Sequence, residues 1–167
     1  LKKTMAKCKF KLGAWECPLE ALPGEEYCYW HKKEYWKEPD EAKLRELGEN
    51  RILGVFLREA KLREEELQIA FLYAYLPFAD LQGVDFSHAN LQGAVLWFAN
   101  LQDAVLQYAN LEGALLLSAD LQRANLSHAN LGGAAIRGAN LQGADLQDAD
   151  LLMANIEGAD LWRANLQ

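Results

Sequence analysis

From Ala79 to Ala164 a small residue recurs at every fifth position, alanine throughout except for Val84, and a Leu, Ile or Phe follows two places later. The large series runs Leu81, Phe86, Leu91, Leu96, Leu101 and onward to Leu161 and Leu166. Between the two sits a residue that is most often Asp or Asn, as at Asp80, Asn90, Asn100, Asn110 and Asp120. A period of five suits no single regular element. On an α-helix five residues advance about 500°, so successive leucines would be offset by roughly 140° and scatter around the cylinder. On one continuous strand an odd period sends successive repeats to opposite faces. In a short extended piece, however, residues two apart point the same way and the one between points outward. The remaining two residues, often Gln-Gly, Ser-His or Gln-Asp, are turn chemistry. The chain therefore makes a short side, turns and makes another, with every small and large residue facing a common axis. Stacked coils pair at the strand spacing of about 4.8 Å. A repeat of this regularity decides the architecture before any other feature is read.

The A(D/N)LXX pattern resembles the pentapeptide-repeat family, over some eighteen consecutive units spanning Ala79–Gln167. That resemblance implies an all-β solenoid, a right-handed quadrilateral β-helix with four units, hence twenty residues, in each coil. Each buried large side chain is worth roughly 1.5–3 kcal/mol, offset by the cost of ordering the backbone. Stability is expected to be nearly additive along the rod.

Upstream, Leu47, Ile52, Leu57, Leu62, Leu67 and Leu72 keep the spacing of five, with Val55, Ala60 and Ala70 at the small position and Glu65 breaking the rule. One residue is missing between Leu72 and Leu76. Residues 55–78 thus read as a degenerate first coil with a one-residue slip; a charged helix over Asp40–Gln68 is the competing reading. Residues 39–54 read as linker and a short capping helix over Asp40–Gly48, with Asp40 as N-cap and Gly48 as the C′ residue.

All three cysteines lie within residues 1–38, in the arrangement Cys8-x8-Cys17-x10-Cys28-x2-His31. Three thiolates and one imidazole are a tetrahedral Zn²⁺ set, and a segment this short scarcely builds its own core. An odd cysteine count with no secretory signal speaks against a disulfide framework. Zinc, as a structural cofactor, is the expectation; reduced cysteines packed among Trp15, Tyr27 and Trp30 are the alternative. The spacing also resembles plant Cys3His modules with a WRC motif, which are linked to DNA binding. Here Trp15-Glu16-Cys17 stands in place of Trp-Arg-Cys.

Charge is unevenly placed: residues 1–48 hold ten basic and nine acidic side chains, residues 79–167 three and ten. Phosphate binding needs positive charge, so nucleic acid is not expected on the rod. No apolar run approaches the ~20 residues that span a bilayer, and a cytoplasmic location is the default.

With twenty residues per coil, positions twenty apart share a face. On one face the outward positions are apolar over the first rungs: Tyr75, Val95 and Leu115 in the middle column, Trp97 and Leu117 in the next, Phe78 and Phe98 after that. Phe56 is expected to extend this strip upstream. A contiguous apolar patch marks a contact surface; either the aromatic-rich residues 1–38 (Tyr35 and Trp36 among them) fold over it, the favoured reading, or a partner protein does. The adjacent face stacks His88, Tyr108, His128 and Asp148. His88 and His128 are two rungs apart, about 9.6 Å, too far to share an ion. No catalytic constellation stands out, and the middle Asp and Asn are explained by hydrogen bonds to the backbone of the turns.

The function expected is a non-enzymatic protein-interaction scaffold with a zinc-stapled N-terminal cap. Family resemblance adds two possibilities: end-to-end homodimerisation through the C-terminal coil, and imitation of duplex DNA toward DNA gyrase or topoisomerase, as in quinolone-resistance proteins. Zinc-dependent nucleic-acid binding by residues 1–38 is a further alternative.

Overall fold

The computed structural model describes residues 6–34, 37–50, 52, 54–60, 62 and 71–167. From Ala74 onward each unit is built alike. Its middle residue forms a parallel bridge with the residue twenty places on: Tyr75 with Val95, Asp80 with Asn100, Asp85 with Val105, Asn90 with Asn110. These four columns continue to the last coil, so one turn of the solenoid holds twenty residues on four sides. At each corner the small residue's amide donates to the carbonyl of the large residue three back, as Ala99 does to Leu96 at 3.1 Å. The third residue of the corner has positive φ at every fifth position from Tyr73 to Arg163, including Phe78 (59°), His88 (59°) and Ser118 (52°). Turns of this shape favour glycine there, and Gly83, Gly93 and Gly113 oblige. The axis is lined as the repeat requires, with Leu81 through Leu141 and their alanines essentially inaccessible and Val84 among them.

The first coil departs from the expected register. Phe56 bridges Asp80, twenty-four residues away, rather than Tyr75, so it lies on the neighbouring face and does not extend the apolar strip. Phe71, not Leu72, faces the axis: Phe71 is 0% exposed and Leu72 38%. The reason is the corner bond. Ala74 donates to the Phe71 carbonyl at 3.0 Å, which makes Phe71 the large residue of its unit. The slip therefore precedes Phe71, in a stretch where Glu65, Leu67 and Ala70 fall outside the described residues.

Two β-strands, β1 (Lys11–Leu12) and β2 (Trp15–Glu16), pair antiparallel around Gly13, which stands at φ 59°. Helix α1 spans Glu41–Asn50. Asp40 caps it: its Oδ1 accepts from the Lys43 amide at 2.9 Å and its carbonyl from Leu44 at 3.0 Å. The helix runs past Gly48 to Asn50, so Gly48 is not its C′ residue; it stays helical instead of taking the left-handed turn that ends a helix. Nor does the helix reach Gln68, because residues 55–57 already pair with the coil.

Candidate metal centre and the exposed face of the coil

The hairpin continues beyond its strands. Lys7 bridges Glu20, the Cys8 amide donates to the Leu19 carbonyl at 3.0 Å, and that of Cys17 to Phe10 at 3.1 Å. Cys8 lies opposite Leu19 and Cys17 opposite Phe10, so the two cysteines stand diagonally on one face of the hairpin. The third thiol and the imidazole come from a tight turn in which the amides of His31 and Lys32 both donate to the Cys28 carbonyl. The ligand atoms of Cys8, Cys17, Cys28 and His31 all lie within 4.8 Å of one another, and all four residues are buried. The Cys17 and Cys28 sulfurs are 3.8 Å apart, and His31 Nδ1 lies 3.4 Å from Cys8 Sγ and 3.2 Å from Cys28 Sγ.

These distances fit a metal better than a bond between sulfurs. A disulfide needs about 2.05 Å, whereas Zn–S bonds of about 2.3 Å at tetrahedral angles place sulfurs about 3.8 Å apart. The backbone N–H groups of Leu19 near Cys17, and of His31 and Trp30 near Cys28, pull these thiols down toward the thiolate. Burial, the dominant influence, pushes the Cys17 and Cys28 thiols up. A divalent cation among the sulfurs reverses that preference, because a coordinating thiol gives up its proton. His31 is oriented by its neighbours, with the Phe10 ring stacked on it at 3.8 Å and Trp15 edge-on at 6.1 Å. The four residues fit zinc; its chemistry here would be structural cross-linking of hairpin and turn.

The module sits on the N-terminal end of the solenoid. The Phe56 amide donates to the Trp30 carbonyl at 2.8 Å. Lys37, 5% exposed, places its Nζ against the carbonyls of Tyr29 (2.6 Å), Lys32 (2.6 Å) and Phe56 (3.0 Å). Burial pushes the Lys37 ammonium down to about 8, while three carbonyl acceptors match its three N–H donors. Trp30 Nε1 donates to Glu46 of α1 at 2.8 Å. Lys37 was not legible in the sequence: a lysine in Trp-Lys-Glu-Pro looks like any solvated charge.

The lateral strip is not covered by the described part of this module; Tyr35 and Trp36 lie outside the described residues. Phe78 is 42% exposed, Trp97 36%, Phe98 51% and Leu117 37%, while Tyr75, Val95 and Leu115 are half-buried between them. The described residues of the 1–38 segment instead commit hydrogen bonds of Trp30 and Lys37 to the end of the stack at Phe56. Phe78 and Phe98 stack at 5.1 Å, nearly parallel. On the adjacent face His88, Tyr108 and His128 also stack, at 5.0 and 4.7 Å, and His128 Nδ1 lies 3.7 Å from Asp148. The middle Asp and Asn do what the sequence suggested: Asn110 Oδ1 accepts from the Glu112 amide at 3.1 Å, Asn130 from Gly132 at 3.0 Å. They also ladder, Asn130 Nδ2 donating to Asn110 at 3.2 Å. The last coil exposes Leu152, Met153, Trp162 and Leu166. Among the described residues no helix is long and apolar enough to cross a membrane.

Residues 79–116 and 119–151 match the family model for pentapeptide repeats, in eight copies. No curated protein matches the chain. Among solved structures, HetL, a pentapeptide-repeat protein involved in heterocyst differentiation regulation in the cyanobacterium Nostoc sp. strain PCC 7120, is 36% identical, with a TM-score of 0.52. That match covers 68% of this chain and 50% of HetL. QnrB1, a plasmid-mediated fluoroquinolone resistance protein, gives the same TM-score of 0.52 at 20% identity, over 66% of this chain and 57% of its own; this likeness is one of fold. The chain thus spans between half and two thirds of the length of these two proteins. The family-model match and the twenty-residue coil agree, and the repeat region from Ala79 to Leu151 is similar to pentapeptide-repeat proteins in sequence and in fold.

Proposed function

We propose that this chain is a non-enzymatic protein-interaction scaffold: a rigid four-sided rod, closed at its N-terminal end by a zinc-stabilised Cys3His module. Its contact surface is the face of Tyr75, Phe78, Val95, Trp97, Phe98, Leu115 and Leu117. One observation carries the reading. On the other three faces most middle residues are Asp or Asn that tie down the next turn, but Tyr75, Val95, Leu115 and Ala135 forgo that bond until Asn155 restores it with the Glu157 amide at 3.0 Å. Aromatic rings stand exposed where local hydrogen bonds have been given up, which supports a surface shaped for apolar contact. A gyrase-directed role rests on rod acidity and a likeness of fold alone, and stands second.

The test is a paired capture. Trp97→Gln with Phe98→Ser leaves the axis untouched, so the variant should keep the far-ultraviolet spectrum and melting temperature of the parent. A binder recovered with the parent should be lost with the variant. Recovery of the same binder with both proteins sinks this surface, and inhibition of gyrase supercoiling by the variant as strong as by the parent would favour the second reading.

A further inference from the structure

The apolar strip lies on a side of the coil whose main chain is already paired. Leu76 donates to the Val95 carbonyl at 2.8 Å, Phe78 to Trp97 at 2.8 Å, Leu96 to Leu115 at 2.8 Å and Phe98 to Leu117 at 3.0 Å. The amides of Trp97 and Leu117, where Val95 and Leu115 replace the usual Asn or Asp, add two isolated donors and no ladder. An extended segment laid on this side buries its own N–H and C=O groups against side chains, and a buried backbone group without a partner costs as much as a lost hydrogen bond. A helix brings its backbone bonds with it and presents only side chains.

Spacing favours the same shape. The exposed side chains of Phe78, Trp97 and Leu117 stand on three successive coils, at the strand spacing of about 4.8 Å. Turns of a helix are about 5.4 Å apart, so two turns follow the three coils with a mismatch of roughly 1 Å. Side chains on one face of a strand recur at about 6.8 Å and fall out of step at once. Charge sets the partner's sign. The strip's outward positions from Tyr75 to Ser118 carry no charge, but its Leu115 rung is bracketed by Glu112, three residues before Leu115, and Asp120, three after Leu117. Each is held by carboxamides: Glu112 accepts from Gln92 at 3.4 Å, and Asp120 from Gln122 at 3.2 Å and from Gln102. The arginines of this coil and the next are turned to other acids, Arg123 to Asp103 at 2.7 Å and Arg137 to Glu157 at 3.5 Å.

We propose that the strip receives a basic amphipathic helix of a partner protein, laid along the rod axis. Its apolar side chains at i, i+3 or i+4 and i+7 seat against Phe78, Trp97 and Leu117, and lysines or arginines on its two flanks meet Glu112 and Asp120. This rests on the scaffold reading above and names the occupant of its surface.

The experiment uses the full chain and three labelled peptides of about 14 residues, near four helical turns. One places leucines at i, i+3, i+4 and i+7 among lysines and alanines. The second has glutamate for every lysine, and the third has the composition of the first with leucine and lysine alternating. The first should bind the parent, gain helical circular dichroism on binding and weaken as salt rises; the other two should bind at least about tenfold less. Trp97→Gln with Phe98→Ser should lose roughly tenfold or more. Glu112→Gln with Asp120→Asn leaves the strip intact and keeps at position 120 the acceptor that Asn100 and Asn140 supply in their own turns. That variant should lose about twofold to tenfold at low salt. No binding of the first peptide at about 0.1 mM, or equal binding of the alternating one, refutes the helix. Equal binding of the acidic peptide, or no loss with the Glu112 and Asp120 variant, refutes its basic character. Equal binding to the Trp97 and Phe98 variant removes the strip as its seat. The scaffold reading is judged separately, since a strip-dependent binder in the paired capture upholds it whatever that binder's shape.

Discussion

Leu101 and Cys17 are both buried to within a few per cent, yet nothing else about their surroundings is alike. Leu101 sits between copies of itself, Leu81 below and Leu121 above, and its amide repeats the bond every other rung makes, donating to the Asp120 carbonyl of the next coil at 2.7 Å. Cys17 sits in a module where each residue is used once: a two-stranded hairpin, a chelating turn and a helix, joined by Trp30, Lys37 and Glu46. The rod is stabilised by many equal and local increments. The cap depends on a few unlike contacts meeting at one place, which is how small domains compensate for the core they lack. Damage should therefore stay graded in the rod and be close to all-or-none in the cap.

The hardest way to break that contrast is to withdraw the zinc proposed for the Cys8, Cys17, Cys28 and His31 cluster. Structural zinc supplies on the order of 10 kcal/mol of folding energy at neutral pH, more than a module of this size holds in reserve. Chelation, or Cys17→Ser, should abolish the near-ultraviolet circular dichroism from Trp15 and Trp30 while the far-ultraviolet signal of the coils persists. Acid should act in the same direction, because the thiols must lose protons to bind and burial already raises Cys17 and Cys28. A module that keeps its near-ultraviolet signal after quantitative metal removal would place cap and rod on the same footing.

A core truncation sharpens the other half. Leu101→Ala deletes a fully buried side chain from a column whose neighbours, held at the coil spacing by their own hydrogen bonds, have little room to collapse. The expected loss is about 2–5 kcal/mol, read from denaturant unfolding. The same change at Leu161, half-exposed in the last described coil, should cost clearly less. Equal losses at both positions would argue that the rod unfolds as one block and not by increments.

What the sequence disclosed follows the same division. The rod was legible because the rule is local: a small residue, a polar one and a large one, repeated until the register had no alternative. The cysteine and histidine spacing was legible because the ligand chemistry restricts which residue types can serve. The register of the first coil was not, because Phe71 and Leu72 are both apolar and only the Ala74 corner bond selects between them. Lys37 was hidden for a different reason. Its partners are three main-chain carbonyls from two distant segments, and a backbone acceptor leaves no mark on the residue that provides it. The placement of the described part of the cap on the end of the coil follows from those same carbonyls.

The smallest effect concerns the corners. Ser118 holds φ 52° at a position where Gly113 and Gly133, in the neighbouring column, adopt 63°. A left-handed backbone costs an L-residue about 1–2 kcal/mol relative to the right-handed form, and glycine is spared most of it. Ser118→Gly therefore relieves strain, but the glycine also gives the unfolded chain more freedom to lose, which takes back part of the gain. The net should be a stabilisation of up to about 1 kcal/mol, seen as a shift of the denaturant midpoint at constant slope. The reverse change, Gly113→Ala, meets nothing within 4 Å of the added Cβ, so it isolates backbone strain from packing and should lose a similar amount. If Ser118→Gly destabilises while Gly113→Ala is neutral, the corners are held by side-chain ladders between coils and not by the turn conformation, and the rod would then resemble its cap in depending on particular contacts.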